Sequence, residues 1–129
     1  MALSVVAISA IATFIAPTAL AGPNCPMGYQ CIYSADLTQR IALFQPDPDL
    51  RDNFYPDGSP VVGNVGLIVN ASTINEAHYY DSPGYLEFLF CLNPVSSIQP
   101  PPSLMIESLR LRQHTAIHCV GNLTSTIGT

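Results

Sequence analysis

Four cysteines, Cys25, Cys31, Cys91 and Cys119, all follow an uncharged apolar run at the N-terminus, and this order constrains the fold more than any other feature. The run, Ala2 to Ala16, is shorter than the roughly 20 residues a membrane-spanning helix needs. It leaves through Pro17 into the small-residue pattern Ala19-Leu20-Ala21. That exit predicts a signal peptide over residues 1–21, cleaved after Ala21, and a secreted domain over residues 22–129. In a secreted chain an even cysteine count reads as two disulfides. Spacing leaves all three connectivities open, and without paired Cys-x-x-Cys spacing a zinc site is not implied. A domain of this size buries only a small core, so cross-links matter to it. The sequons Asn70-Ala71-Ser72 and Asn122-Leu123-Thr124 are candidate glycosylation sites, in keeping with the secretory route.

The charge balance is acidic. Nine Asp and Glu oppose four Arg, with no Lys. This excludes affinity that rests on broad attraction to phosphates, but it leaves room for a compact site holding a few arginines.

The periodicity predicts an α+β domain, one helix packed on a small antiparallel sheet. "GPNCPMGYQCIY" opens the domain with turns and allows a short strand near Tyr29 to Tyr33. "SADLTQRIALFQ" reads as the one helix, with Ser34 as N-cap, Asp36 in the first turn, and Leu37, Ile41 and Phe44 on one face; Pro46 and Pro48 stop it. "QPDPDLRDNFYPDGSP" reads as a long acidic loop. "VVGNVGLIVN" reads as a strand interrupted by Gly. "ASTINEAHYYDSPG" reads as a polar connection that leaves His78 in solvent, and "NPVSSIQPPPS" as a loop. "YLEFLFCL" and "LMIESLRLRQHTAIHCV" are the two strong strand candidates.

Alternation assigns faces to those two strands. Leu86, Phe88, Phe90 and Leu92 share an apolar face that belongs to the core. Glu87 lies on the other face with Tyr85, Leu89 and Cys91. In the second strand Leu109 and Leu111 point one way, and Arg110, Arg112 and His114 the other. If the two polar faces coincide, a carboxylate, two guanidinium groups and an imidazole meet. Those are the parts needed for general acid–base work on a phosphodiester; an ordinary solvated face with ion pairs is the simpler reading of the same spacing.

The order of "GYQC", "YSADLTQRI", "NFYPDG", "SPGYLEFLF", "RLRQHTAIHC" and "LTSTIG" resembles the fungal guanyl-specific ribonucleases and the ribonuclease-like secreted effectors of plant-pathogenic fungi. The resemblance implies a microbial-ribonuclease-like fold. It implies that Glu87 is the general base, Tyr55 the phosphate-contacting tyrosine, and Arg112, or less readily Arg110, the phosphorane-stabilising arginine. The family histidine after Tyr-Pro is replaced by Asp57. The general-acid histidine falls at Ser125, with His114 as the acid in a second register. With those imidazoles missing, the resemblance implies a secreted protein of weak or absent catalysis that acts by binding RNA or a host protein, with an active extracellular endoribonuclease or an unrelated small disulfide-rich protein as the alternatives. It also implies delivery into host cells, as for the effectors. Arg110 and Tyr85 are candidate binding residues, and no cofactor or metal is implied. In the resembling effectors an N-terminal cysteine ties down the last strand, which suggests Cys31 with Cys119 and Cys25 with Cys91. The rival is Cys91 with Cys119. Histidines 114 and 118 would hold a metal only on a helix, and Asp47, Asp49, Asp52 and Asp57 read as a solvated acidic loop.

Overall fold

The computed structural model describes residues 25–115 and Cys119. The expected signal peptide, the sequon at Asn122, and the positions of His118 and Ser125 lie outside them.

The expected helix does not form, and the α+β assignment is replaced by two antiparallel sheets. Strands β1 (Gln30–Tyr33), β2 (Arg40–Leu43), β3 (Leu67–Asn70) and β6 (Ser96–Ile98) make a four-stranded sheet in the order β2-β1-β3-β6. Strands β4 (Asn75–Tyr80), β5 (Phe88–Leu92) and β7 (Ser108–Gln113) make a three-stranded sheet in the order β5-β4-β7. The helical element among the described residues is a single 3-10 turn, Leu50–Asp52.

The reason lies in residues 34–39. Asp36 Oδ1 accepts the Ser34 hydroxyl at 2.8 Å, the Thr38 hydroxyl at 2.7 Å and the Thr38 amide at 3.0 Å. The side chain thus offers the backbone a turn in place of a helical ladder, and Leu37 takes a left-handed φ of 64°. The chain reverses, and β2 pairs antiparallel with β1, Ile32 opposite Ile41. Of the three residues spaced as a helix face, Ile41 packs on the core while Leu37 and Phe44 are exposed. Gly66 fits against this turn because it has no side chain: a Cβ there would lie 2.7 Å from the Ser34 carbonyl oxygen.

One core joins the two sheets. Ile32, Ile68 and Ile98 of the larger sheet meet Ala77, Tyr79, Phe90, Leu92 and Leu109 of the smaller, and Tyr79 stacks on Phe90 with ring centroids 5.2 Å apart. Each fully buried aliphatic or aromatic side chain contributes about 1.5–3 kcal/mol. The acidic loop is more than a solvated connection, because Leu50 and Tyr55 insert into this core. Its beginning also closes an open sheet edge: Asp47 exchanges backbone hydrogen bonds with Leu109 of β7 at 2.8 and 2.9 Å.

The "polar connection" contains β4, the central strand of the smaller sheet, and the segment read as a loop after Asn93 contains the edge strand β6. The disulfides are Cys25–Cys31 and Cys91–Cys119. The pairing suggested by the effector resemblance is therefore not adopted, and its rival for Cys91 is. Sheet topology explains this: Cys31 faces the segment that carries Cys25, on the outer side of the four-stranded sheet.

Candidate functional site

Strand β4 lies between β5 and β7, and its alternation sets Ala77 and Tyr79 inward and Glu76, His78 and Tyr80 outward. Its register with β7 places Glu76 opposite Arg112, His78 opposite Arg110 and Tyr80 opposite Ser108. The polar side chains of both strands therefore share the outer face of the three-stranded sheet.

The centre of that face is Glu76, 7% exposed. Its Oε1 lies 2.9 Å from His78 Nε2, and its Oε2 lies 2.9 Å from His114 Nδ1. An ionised carboxylate only accepts hydrogen bonds, so both ring nitrogens facing it carry hydrogens. Burial alone pushes the Glu76 carboxyl up, but the hydrogen bonds from His78 and His114, and their charges, outweigh it and hold the group below its ordinary value.

Aromatic rings surround this clamp. His78 lies 5.8 Å from Phe88, and Tyr80 contacts both Phe88 and Tyr85 edge-on, at 5.8 and 5.7 Å. The Arg110 guanidinium stands 5.8 Å over the Tyr85 ring, a cation–π geometry. Tyr85 is fixed from below: its amide donates to Ser108 Oγ, which donates to the Ser82 carbonyl at 2.7 Å.

Several expected site residues fall together here, and others do not. Arg110, Arg112 and His114 share the outer face with Tyr85. Glu87 is not beside them. It is exposed in the loop before β5, its backbone carbonyl accepts from the Asp81 amide at 2.8 Å, and its carboxylate makes no hydrogen bond or ion pair among the described residues. Leu86, placed in the core by simple alternation, is exposed, and Phe88 is on the outer face. A bulge accounts for this: Tyr79 pairs with Phe90 but Tyr80 pairs with Phe88, so the phase of β5 changes at Leu89. Tyr55 is a core residue whose hydroxyl donates to the Asn64 carbonyl at 2.6 Å, and burial pushes its phenol well up; it offers nothing to a phosphate. Asp57 accepts from the Ser59 hydroxyl and amide in a turn.

Asn70 is fully buried, and its Nδ2 donates to the carbonyls of Asn75, Leu92 and Asn93 at 2.9, 3.2 and 3.1 Å. A glycan on that nitrogen is incompatible with this fold, so Asn70 is a structural residue bridging the two sheets.

Sequence reasoning missed Glu76 and left His78 in solvent, whereas His78 is buried on the central strand β4. The available signal was the alternation of Glu76, His78 and Tyr80 with Ala77 and Tyr79, weakened because Ala77 is a faint apolar mark. Among the described residues no group of His, Cys, Asp and Glu is arranged to hold a metal ion, and no helix is long and apolar enough to cross a membrane. No protein-family model, curated protein or solved structure matches the chain.

Proposed function

We propose that the protein is secreted and binds single-stranded RNA on the outer face of its three-stranded sheet, with little or no cleavage. The supporting observation is the pair Arg110 and Arg112, two of the chain's four arginines, on the same outer face as the Tyr85 ring under Arg110 and the Phe88 ring against His78. Guanidinium groups take phosphates, and aromatic rings take bases of any sequence. The neighbouring carboxylate, Glu76, is engaged by two imidazoles and does not oppose the arginines as a bare anion would. Two phosphate contacts on an acidic protein give modest affinity and a shallow salt dependence, with a slope of about −1.4 in log K against log salt. The two disulfides accord with the secretory part of the reading.

A second reading is favoured by one observation. The hydrogen bond between His114 Nδ1 and Glu76 orients the imidazole as a carboxylate orients a general base. Under it, His114 rather than Glu87 takes the ribose 2′-hydroxyl proton and Arg112 stabilises the phosphorane.

Fluorescence anisotropy with a labelled oligoribonucleotide at low salt tests the first reading. Binding should weaken with added salt and be lost in Arg110→Ala/Arg112→Ala. Equal binding by that variant, or none by the folded wild type, refutes it. Cleavage of the same oligonucleotide that disappears in His114→Ala, and survives Glu87→Gln, supports the second.

A further inference from the structure

We propose a second binding site, on the outer face of the four-stranded sheet, for a ligand that joins a carboxylate to a short apolar body. A cavity of about 570 Å³ opens there between Tyr33, Leu37, Thr38, Gln39, Arg40 and Pro56. Tyr33 and Arg40 are directly paired across β1 and β2, so their side chains rise from the same face.

Two groups at this cavity are left without partners. Tyr33 is 7% exposed, and its hydroxyl is buried with no hydrogen-bond partner among the described residues. Buried polar atoms are nearly always satisfied, and an exception calls for an explanation. Arg40, half-buried, has no ion pair or side-chain hydrogen bond among the described residues. A hydroxyl and a guanidinium, adjacent and both able to donate, call for one acceptor with two oxygens. Both residues line the cavity, and because the hydroxyl itself is buried, contact with it requires a side-chain shift on binding.

The remaining walls narrow the ligand. Leu37 and Pro56 supply apolar surface for its body. Leu37 holds a left-handed φ of 64°, a strained conformation for a leucine that brings an apolar side chain to an exposed turn. Asp36 and Asp57 flank the turn but are occupied, by Ser34 and Thr38 and by Ser59 respectively. Their charges disfavour a dianion such as a phosphate monoester and leave a monoanionic carboxylate as the better fit. Such a group occurs both on small organic acids and at the C-terminus of a peptide ending in an apolar residue.

Titration of the folded full domain, followed by amide chemical shifts, distinguishes the sources. The probes are 3-phenylpropanoate, the tripeptide Gly-Gly-Leu, and the same tripeptide amidated at its C-terminus. The expected result is saturable shifts confined to residues 33–40 and 56–58, with a Kd of about 1 mM or tighter, for at least one of the two acids and not for the amide. Saturation by phenylpropanoate alone identifies a small-acid site, and saturation by the peptide acid identifies C-terminal capture. Arg40→Gln should weaken binding at least about tenfold, and Tyr33→Phe about threefold or more. Tyr33→Phe removes a hydroxyl that has no hydrogen-bond partner among the described residues, so the variant is expected to fold normally and isolates the ligand contact. The proposal is overturned if neither acid saturates, if the amide binds as well as the acid, or if Arg40→Gln leaves the affinity unchanged.

Discussion

The two sheets share one core, but their outer faces are closed in opposite ways. On the four-stranded sheet Cys31, Tyr33, Leu67 and Val69 form a second apolar cluster, covered by Cys25, Tyr29 and Ala71 from the segments at its end. Strands β1 and β3 are consequently buried along their whole length. On the three-stranded sheet the outer residues of β4 and β7 include Glu76, His78, Tyr80, Arg110 and Arg112, with His114 just beyond β7. The difference is one of chemistry. An apolar face is unstable in water until other chain lies over it. A charged face can be closed by its own hydrogen bonds, provided every buried charge finds a partner. The first arrangement serves mainly structure, with the Tyr33–Arg40 cavity at its β1–β2 side, whereas the second leaves arginines and aromatic rings where a ligand can meet them.

The disulfides break the comparison most strongly. Cys25–Cys31 clips the cover onto the larger sheet and spans 6 residues, whereas Cys91–Cys119 starts from β5 and spans 28. In the chain-entropy account the longer loop contributes about 3.5 kcal/mol and the shorter about 2 kcal/mol. Urea unfolding of Cys91→Ser/Cys119→Ser should therefore show the larger loss of stability, with Cys25→Ser/Cys31→Ser losing less. The reverse order would mean that the N-terminal cover stabilises the folded state well beyond its loop closure, and that the apolar face depends on its clip more than on its packing.

Next in size is the carboxylate. Glu76→Gln keeps the shape but leaves one acceptor oxygen where two imidazole N–H groups now donate, so one of them meets an amide NH₂. The expected loss is about 1–3 kcal/mol, the cost of an unmatched buried polar group. The pH profile sharpens the point. The folded Glu76 carboxyl lies below its ordinary value of 4.5, so its stabilisation is complete above that value and is lost as pH falls through the lower, folded one. Wild-type urea midpoints should drop on acidification through this range, and Glu76→Gln should show a smaller drop. Parallel curves for the two proteins would remove Glu76 as the stabilising centre of the face.

How much of this the sequence carried differs between the two faces. The alternation of β7 assigned Leu109 and Leu111 to one side and Arg110, Arg112 and His114 to the other, and the structure has them so, because an uninterrupted period of two leaves no freedom. The same logic failed one strand away. In β5 a bulge shifts the phase at Leu89, and neither Gly nor Pro marks it in "LEFLFC". In "YLEFLFCL" Glu87 stands out as the one carboxylate among apolar residues, yet the carboxylate clamped on the outer face is Glu76, in a strand whose apolar positions are only Ala77 and Tyr79. Leu37, Ile41 and Phe44 fit a helix, but Ser34, Asp36 and Thr38 competed locally for the backbone and won. Such side-chain turns depend on tertiary pairing with β1, which a period count does not contain.

Smallest of all should be the effect of the arginines on stability. Arg110 and Arg112 are exposed, Arg110 is held by a ring contact, and exposed cation–π contacts contribute about 0.5–1 kcal/mol. Arg110→Ala should cost no more than that, and Arg112→Ala, across from an already clamped Glu76, about 0.5 kcal/mol or less. Binding should respond in the opposite sense: each loss of a phosphate contact lowers the salt slope by about 0.7. The contrast is the useful quantity. A residue that the fold barely notices but the ligand does belongs to a binding face. If Arg112→Ala instead unfolds the protein as readily as Glu76→Gln, the arginine is part of the clamp, and the outer face of the smaller sheet is closed for stability in the same sense as that of the larger one.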